Sequence, residues 1–237
     1  MNRVYKKWKS PSLGKEMEML IFGDRGTPII IFPTDEERFY EWEDAGLIDS
    51  LSEQINEGYN QIFCVDSVAY EGFLNKEVDP YVRISRQKQY ESYIMDEVIP
   101  FIRKENKNQF VVATGVNLGA YYALLYALKY PKQIQKVIGI SGTYNIKPYL
   151  DEFYDDNVYF NNPTDFLPNL TEKKTLKEIS KVDIRLLTYS NDPQRKHSEK
   201  MSDTLWIKNI DHNFYVWEKK VSDPLKIVAP MLKEHLF

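Results

Sequence analysis

With 237 residues, 43% of them hydrophobic and 14% aromatic, the chain can fill the core of one large α/β domain. A net charge of −4 excludes a basic footprint for nucleic acid, and the absence of lysine runs and long apolar segments gives no reason to expect a membrane partner. One cysteine rules out an intramolecular disulfide, and the N-terminal stretch lacks a signal-peptide core, so the expected location is cytoplasmic.

Val4 to Trp8 and Glu16 to Phe22 read as edge or antiparallel strands joined by the turn at Pro11 to Gly14. Pro28 to Phe32 is a continuous apolar strand, buried on both faces, and Pro33 to Glu37 follows as a loop. Ile48, Leu51 and Ile55 mark a helix ending at Gly58, and Gln61 to Val65 is the next buried strand. Cys64 within it reads as a small core residue. Asp79-Pro80 supplies a cap and first-turn proline for a long helix whose stripe is Tyr90, Ile94, Val98 and Ile102, with a kink expected at Pro100.

Phe110 to Ala113 is a buried strand that Thr114-Gly115 ends, and from Gly119 the period turns helical up to Pro131. Lys136 to Ile140 is a strand. The segment 144–180, rich in Tyr, Phe, Asn and Pro, then breaks the rhythm as a cap-like insertion. Ile184 to Tyr189 resumes the sheet, a short helix spans Gln194 to Met201, and Leu205 to Lys208 reads as the last strand. Asp223-Pro224 caps a final helix. Strands alternating with helices predict a doubly wound, mainly parallel sheet with helices on both faces, in one domain over 1–237.

Between strand and helix stands Gly115-Val116-Asn117-Leu118-Gly119. The nucleophile elbow G-x-S-x-G occupies this same setting, and here Asn117 takes the place of serine. A carboxamide is not an oxygen nucleophile that a histidine activates. Asparagine does tolerate positive φ and caps helices, so Asn117 also suits a turn without chemistry.

Asn117, Asp192 and His212 follow successive predicted strand ends in the order elbow, acid, histidine, which is the hydrolase chain order. Asp192 stands before Pro193 and equally suits a turn. His212 is one of three histidines, and His197 and His235 fall in segments that read as exposed helix.

Taken together, Trp8 to Pro11, Glu16 to Met19, Phe32 to Thr34, Phe63 to Ser67, Gly119 to Tyr121, Ala127 to Pro131, Ser141 to Tyr144 and Tyr159 to Pro163 resemble a bacterial esterase family. It has the α/β-hydrolase fold and is related to esterase D, enterochelin esterase and antigen 85 type proteins. The resemblance implies a nucleophile at Asn117, an acid at Asp192, a base at His212, and an oxyanion hole from the Leu118 N–H and the loop at Thr34 and Asp35. Four departures stand out: the missing serine, the acidic loop Asp35 to Glu37, Asp211-His212-Asn213-Phe214 in place of the family's Gly-His-Asp-Trp, and a shortened helix between Asp192 and His212.

These departures lead to the expectation of a pseudoenzyme: an esterase homologue with lost or severely weakened ester hydrolysis that keeps a pocket for a small ester or acyl-type ligand. No cofactor or metal is expected, and a homo-oligomer stays open. The alternative is an active hydrolase using Ser141, Ser67 or an Asn117 converted to Asp. Restoring Asn117→Ser is expected to give partial rescue.

Overall fold

The computed structural model describes residues 1–218 and 225–236. Eight strands form one sheet: β1 Arg3–Lys9, β2 Glu16–Phe22, β3 Thr27–Phe32, β4 Asn60–Val65, β5 Val112–Val116, β6 Lys136–Ile140, β7 Asp183–Tyr189 and β8 Asn213–Trp217. Their order is β1-β2-β4-β3-β5-β6-β7-β8. β2 pairs antiparallel with β1 and with β4, and every pairing from β4 to β8 is parallel. This is the doubly wound sheet that the alternating pattern predicts.

Helices cover both faces: α1 Glu41–Asp44, α2 Leu47–Ser50, α3 Ser52–Asn56, α4 Pro80–Ser92, α5 Ile99–Glu105, α6 Leu118–Lys129, α7 Asp156–Asn161, α8 Pro163–Asn169, α9 Lys173–Ile179, α10 Arg195–Ile207 and α11 Leu225–Leu236. The core is accordingly split in two. One apolar cluster gathers α6 with Tyr90, Tyr93 and Phe63, and the other gathers Trp42, Ile48 and Leu51 with Met231 and Leu232 of α11.

The α6 helix is buried from Leu118 to Leu128, not merely along one side. Two of its three tyrosine hydroxyls are hydrogen-bonded, while that of Tyr122 has no partner among the described residues. The Tyr121 hydroxyl donates to the Asn161 carbonyl at 2.7 Å, and Gln87 donates to the Tyr126 hydroxyl at 3.1 Å.

Several elements differ from the sequence reading. β5 begins at Val112 and runs through Thr114 and Gly115 to Val116, because the pairing with β6 continues to Ile140, while Phe110 is exposed. The helix expected before Gly58 is broken into three short pieces, with Gly46 in the left-handed region between the first two. The helix after Asp79 absorbs Pro100 by a π-helical turn, Tyr93–Val98, between α4 and α5. The insertion does carry short helices, α7 to α9.

The most consequential difference lies near the C-terminus. Leu205 to Lys208 is not a strand: Leu205 to Ile207 are the last turn of α10 and Lys208 its C-cap, and β8 comes afterwards. The buried Ser198, Met201, Ser202 and Leu205 stand at helical spacing, which outweighs the short apolar run Leu205-Trp206-Ile207. The Asp223-Pro224 cap lies outside the described residues.

Candidate functional site

Asn117 sits between β5 and α6 with φ 50° and ψ −112°, a sparsely populated conformation for a residue with a side chain. The flanking glycines make the turn sterically feasible. A Cβ on Gly115 would stand 2.5 Å from the Gly119 carbonyl carbon, and one on Gly119 would stand 2.5 Å from the Phe32 carbonyl oxygen. The sharp strand-to-helix turn that G-x-N-x-G suggests is therefore built, and Asn117 is half-buried at the carboxyl end of the sheet.

Opposite the elbow, the loop after β3 brings Asp35 over the start of α6. The Leu118 N–H donates to Asp35 Oδ1 at 2.8 Å. The N–H of Thr34 donates to Glu41 Oε2 at 2.9 Å, and its hydroxyl donates to Glu41 Oε1 at 2.6 Å. Two of the backbone donors expected to face a developing oxyanion, those of Leu118 and Thr34, are thus engaged by carboxylates. The acidic loop does not simply face solvent.

Burial pushes the Asp35 carboxyl above the usual range. The Leu118 N–H and the nearby Tyr149 hydroxyl hold it back, and Glu36 adds to the rise. Burial, and then the charge of Asp35, push Tyr149 up to about 12. Glu41 is raised by burial against the bonds from Thr34. Neither Tyr149 nor Glu41 was legible as part of this site, because their spacing from Thr34 and Asp35 carries no signal before the loop is folded.

The raised Asp35 pKa has a defined sign in stability. The folded state binds its proton more readily than the unfolded state, so this group's contribution falls as pH rises from the unfolded pKa through the folded one. Asp35→Asn keeps an oxygen for the Leu118 N–H without a buried charge. Thermal melts between pH 4 and neutrality should therefore show a higher melting temperature for Asp35→Asn at the neutral end, with the difference shrinking as the medium is acidified.

Asp192 lies at the same end of the sheet, just beyond β7, and is buried. The Thr188 hydroxyl donates to one of its carboxylate oxygens, and the Gln194 N–H donates to the other at 2.8 Å. Its charge, after burial, contributes to raising the pKa of the buried Tyr144, whose hydroxyl has no hydrogen-bond partner among the described residues.

His212 is not with them. It precedes β8, and the register Arg185↔Asn213, Val137↔Ile184 and Ala113↔Val137 puts it level with the amino-terminal part of β5. Four residues along the strands and three strand spacings across, at ~3.3 and ~4.8 Å each, separate it from Asn117 by about 20 Å. Its Nε2 is 2.7 Å from the Ser202 hydroxyl and its Nδ1 is 3.0 Å from the Ile210 carbonyl. A carbonyl can only accept, so Nδ1 carries the proton and Nε2 accepts from Ser202, and the ring tethers α10 to β8.

The expected proximity of His212 to Asn117 is therefore overturned. The misassigned strand is the cause: a loop taken to follow the last strand actually leads into it. After β8 the sequence reads Glu218-Lys219-Lys220-Val221-Ser222-Asp223-Pro224, with no histidine. His235 is buried against Tyr215, with ring centroids 4.4 Å apart, and His197 is half-buried on α10, so neither is the exposed helical residue expected.

The alternative serines also have local structure. The Ser67 hydroxyl accepts from the Ala69 N–H at 3.0 Å. Ser141, buried just beyond β6, has φ 51° and donates its N–H to the Leu187 carbonyl at 2.8 Å. Among the described residues no group of histidine, cysteine and carboxylate side chains is arranged to hold a metal ion, and no helix is long and apolar enough to cross a membrane.

A mainly parallel eight-stranded sheet, helices on both faces and a strained strand-to-helix turn at the strand carboxyl ends define an α/β-hydrolase. The profile of the family described as "Putative esterase" matches residues 42–227, and the chain belongs to that family.

Solved structures agree on the fold. A ferulic acid esterase superposes with a TM-score of 0.79 at 13% identity, covering 98% of this chain and 95% of its own. An S-formylglutathione hydrolase from Agrobacterium tumefaciens gives 0.74 at 10% identity, covering 99% and 92%. MPT51 from Mycobacterium tuberculosis gives 0.65 at 16% identity, covering 98% and 96%. No curated protein matches the chain in sequence.

Proposed function

We propose that this chain, as a single α/β-hydrolase domain, is an esterase-family protein without ester-hydrolase activity, and that it uses the surface over its strand ends for binding. The observation that carries this reading is the 2.8 Å bond from the Leu118 N–H to Asp35. An oxyanion hole works by offering unengaged dipoles to negative charge that develops during reaction. Here a carboxylate already fills that role in the resting protein, and a second oxyanion beside it would be repelled.

The missing chemistry agrees with the filled hole. Asn117 supplies no hydroxyl, and His212 is bonded to Ser202 and Ile210. A small ester or acyl-type ligand at this surface would meet Asp35 with a neutral or hydrogen-bond-donating group and not with a carboxylate.

The test is p-nitrophenyl acetate hydrolysis by the purified chain, run beside labelling with a fluorophosphonate probe. The expected result is hydrolysis at the buffer rate and no labelled band. Turnover in the ordinary enzyme range, about 1 s⁻¹ or faster, or a serine adduct mapped to Ser141 or Ser67, overturns the reading. Conversion of Asn117 to Asp would appear in peptide mass spectra as a gain of about one mass unit, a consequence of amide hydrolysis.

A further inference from the structure

We infer that two copies of this chain associate through β8, their β8 strands running antiparallel about a twofold axis at Tyr215. The sheet has two edges, β1 and β8, and they differ in kind. β1 reads Arg-Val-Tyr-Lys-Lys-Trp-Lys, and its basic side chains discourage strand addition. β8 reads Asn-Phe-Tyr-Val-Trp, uncharged, free of proline and rich in residues that suit sheets.

The backbone of β8 fixes which groups face outward. Tyr189 pairs with Trp217, and the Ser190 N–H donates to the Trp217 carbonyl at 3.0 Å, so Trp217 turns its polar groups toward β7. By alternation Asn213 and Tyr215 do the same, while the N–H and carbonyl groups of Phe214 and Val216 point away from the sheet. Among the described residues, neither Phe214 nor Val216 makes a backbone bond outside the β7 ladder.

An antiparallel mate must bond to those outward groups, and a second β8 does so in one self-consistent register. Phe214 faces Val216 of the other copy, and Val216 faces its Phe214, each pair exchanging both N–H···O bonds. Tyr215 then lies opposite its own equivalent in a non-hydrogen-bonded pair, where side chains approach most closely.

Charge fits the same register. No like charges meet along β8, whose five residues are all uncharged. Apolar surface flanks the edge as well: Trp206 and Ile207, at the end of α10, are 57% and 75% exposed, and the Trp206 ring centroid is 4.9 Å from that of His212. Large exposed apolar side chains beside an unpaired, uncharged edge are the features of a surface made to be covered.

Sedimentation velocity on the full chain, from micromolar concentration upward, should show a species of twice the 28.0 kDa chain mass that grows with concentration. Val216→Pro removes only an outward N–H, so it should abolish that species while leaving the circular dichroism unchanged.

A second variant reads the register and does not depend on the first. Tyr215→Cys places two thiols in a non-hydrogen-bonded pair with Cα atoms about 4.5 Å apart, within disulfide reach, and mild oxidation should give a covalent dimer. Asn213→Cys, which would face Trp217 of the other copy, should not cross-link, and the buried Cys64 does not interfere. A chain that stays monomeric at every concentration, a dimer indifferent to a folded Val216→Pro variant, or equal cross-linking at the two cysteine positions would overturn the inference.

Discussion

Asn117→Ser should leave p-nitrophenyl acetate hydrolysis at the buffer rate, alone or combined with Asp35→Gly. The serine would inherit the half-buried, strained position between β5 and α6 but would find no base. His212 stands beyond the far side of β7, engaged by Ser202 and Ile210, and the sequence between β8 and α11 contains no histidine.

In a well-studied hydrolase, loss of the histidine alone costs about as much as loss of the whole triad, about 2 × 10⁶ in turnover. A hydroxyl restored without its base therefore recovers almost none of that factor. The sequence alone suggests partial rescue because His212 looks available, and the position of β8 removes that expectation. Stopped-flow and steady-state assays on folded protein are the check, and a gain of more than about tenfold over the unaltered chain would require a general base within reach of residue 117.

Gly119→Ala should destabilise the protein strongly, against the usual sign. In an ordinary helix interior the exchange of glycine for alanine gains about 1 kcal/mol. Here the new Cβ would lie 2.5 Å from the Phe32 carbonyl oxygen and 2.7 Å from that of Pro33, backbone atoms that cannot swing aside. Separating α6 from β3 would disturb both apolar clusters, and overpacking of this kind costs roughly 1–3 kcal/mol before the backbone shift is counted.

The expected net loss is about 2 kcal/mol or more, a fall in melting temperature of roughly 4 to 8 °C for a chain of this length. Gly46→Ala is the control: nothing lies within 4 Å of its added Cβ, so only the cost of its positive φ remains. Equal losses for the two variants would mean that the close approach of α6 to β3 is not what glycine at position 119 serves.

The sequence by itself determined the strand-helix alternation, the buried central strands and the turn at Asn117. These follow from local features: continuous apolar runs, glycines that permit close approach, and caps such as Asp79 before Pro80, whose carboxylate accepts from the Tyr81 N–H. The acidic loop after Pro33 was also legible as a departure from an oxyanion hole. That Asp35 itself reaches the Leu118 N–H required β3 and β5 to be neighbours, and their adjacency is a property of the sheet order, in which β4 lies on the other side of β3.

Only the tertiary structure decided where His212 stands. Leu205-Trp206-Ile207 is too short an apolar run for periodicity to separate helix from strand, and the reading of that run moves the histidine from one end of the sheet to the other. A residue's chemistry depends on which end of a strand it occupies, because catalytic groups in a parallel sheet converge at the carboxyl ends alone. Asp192, which follows a correctly read strand, lies at that end with Asn117, whereas His212, which precedes its strand, became a buried tether between α10 and β8.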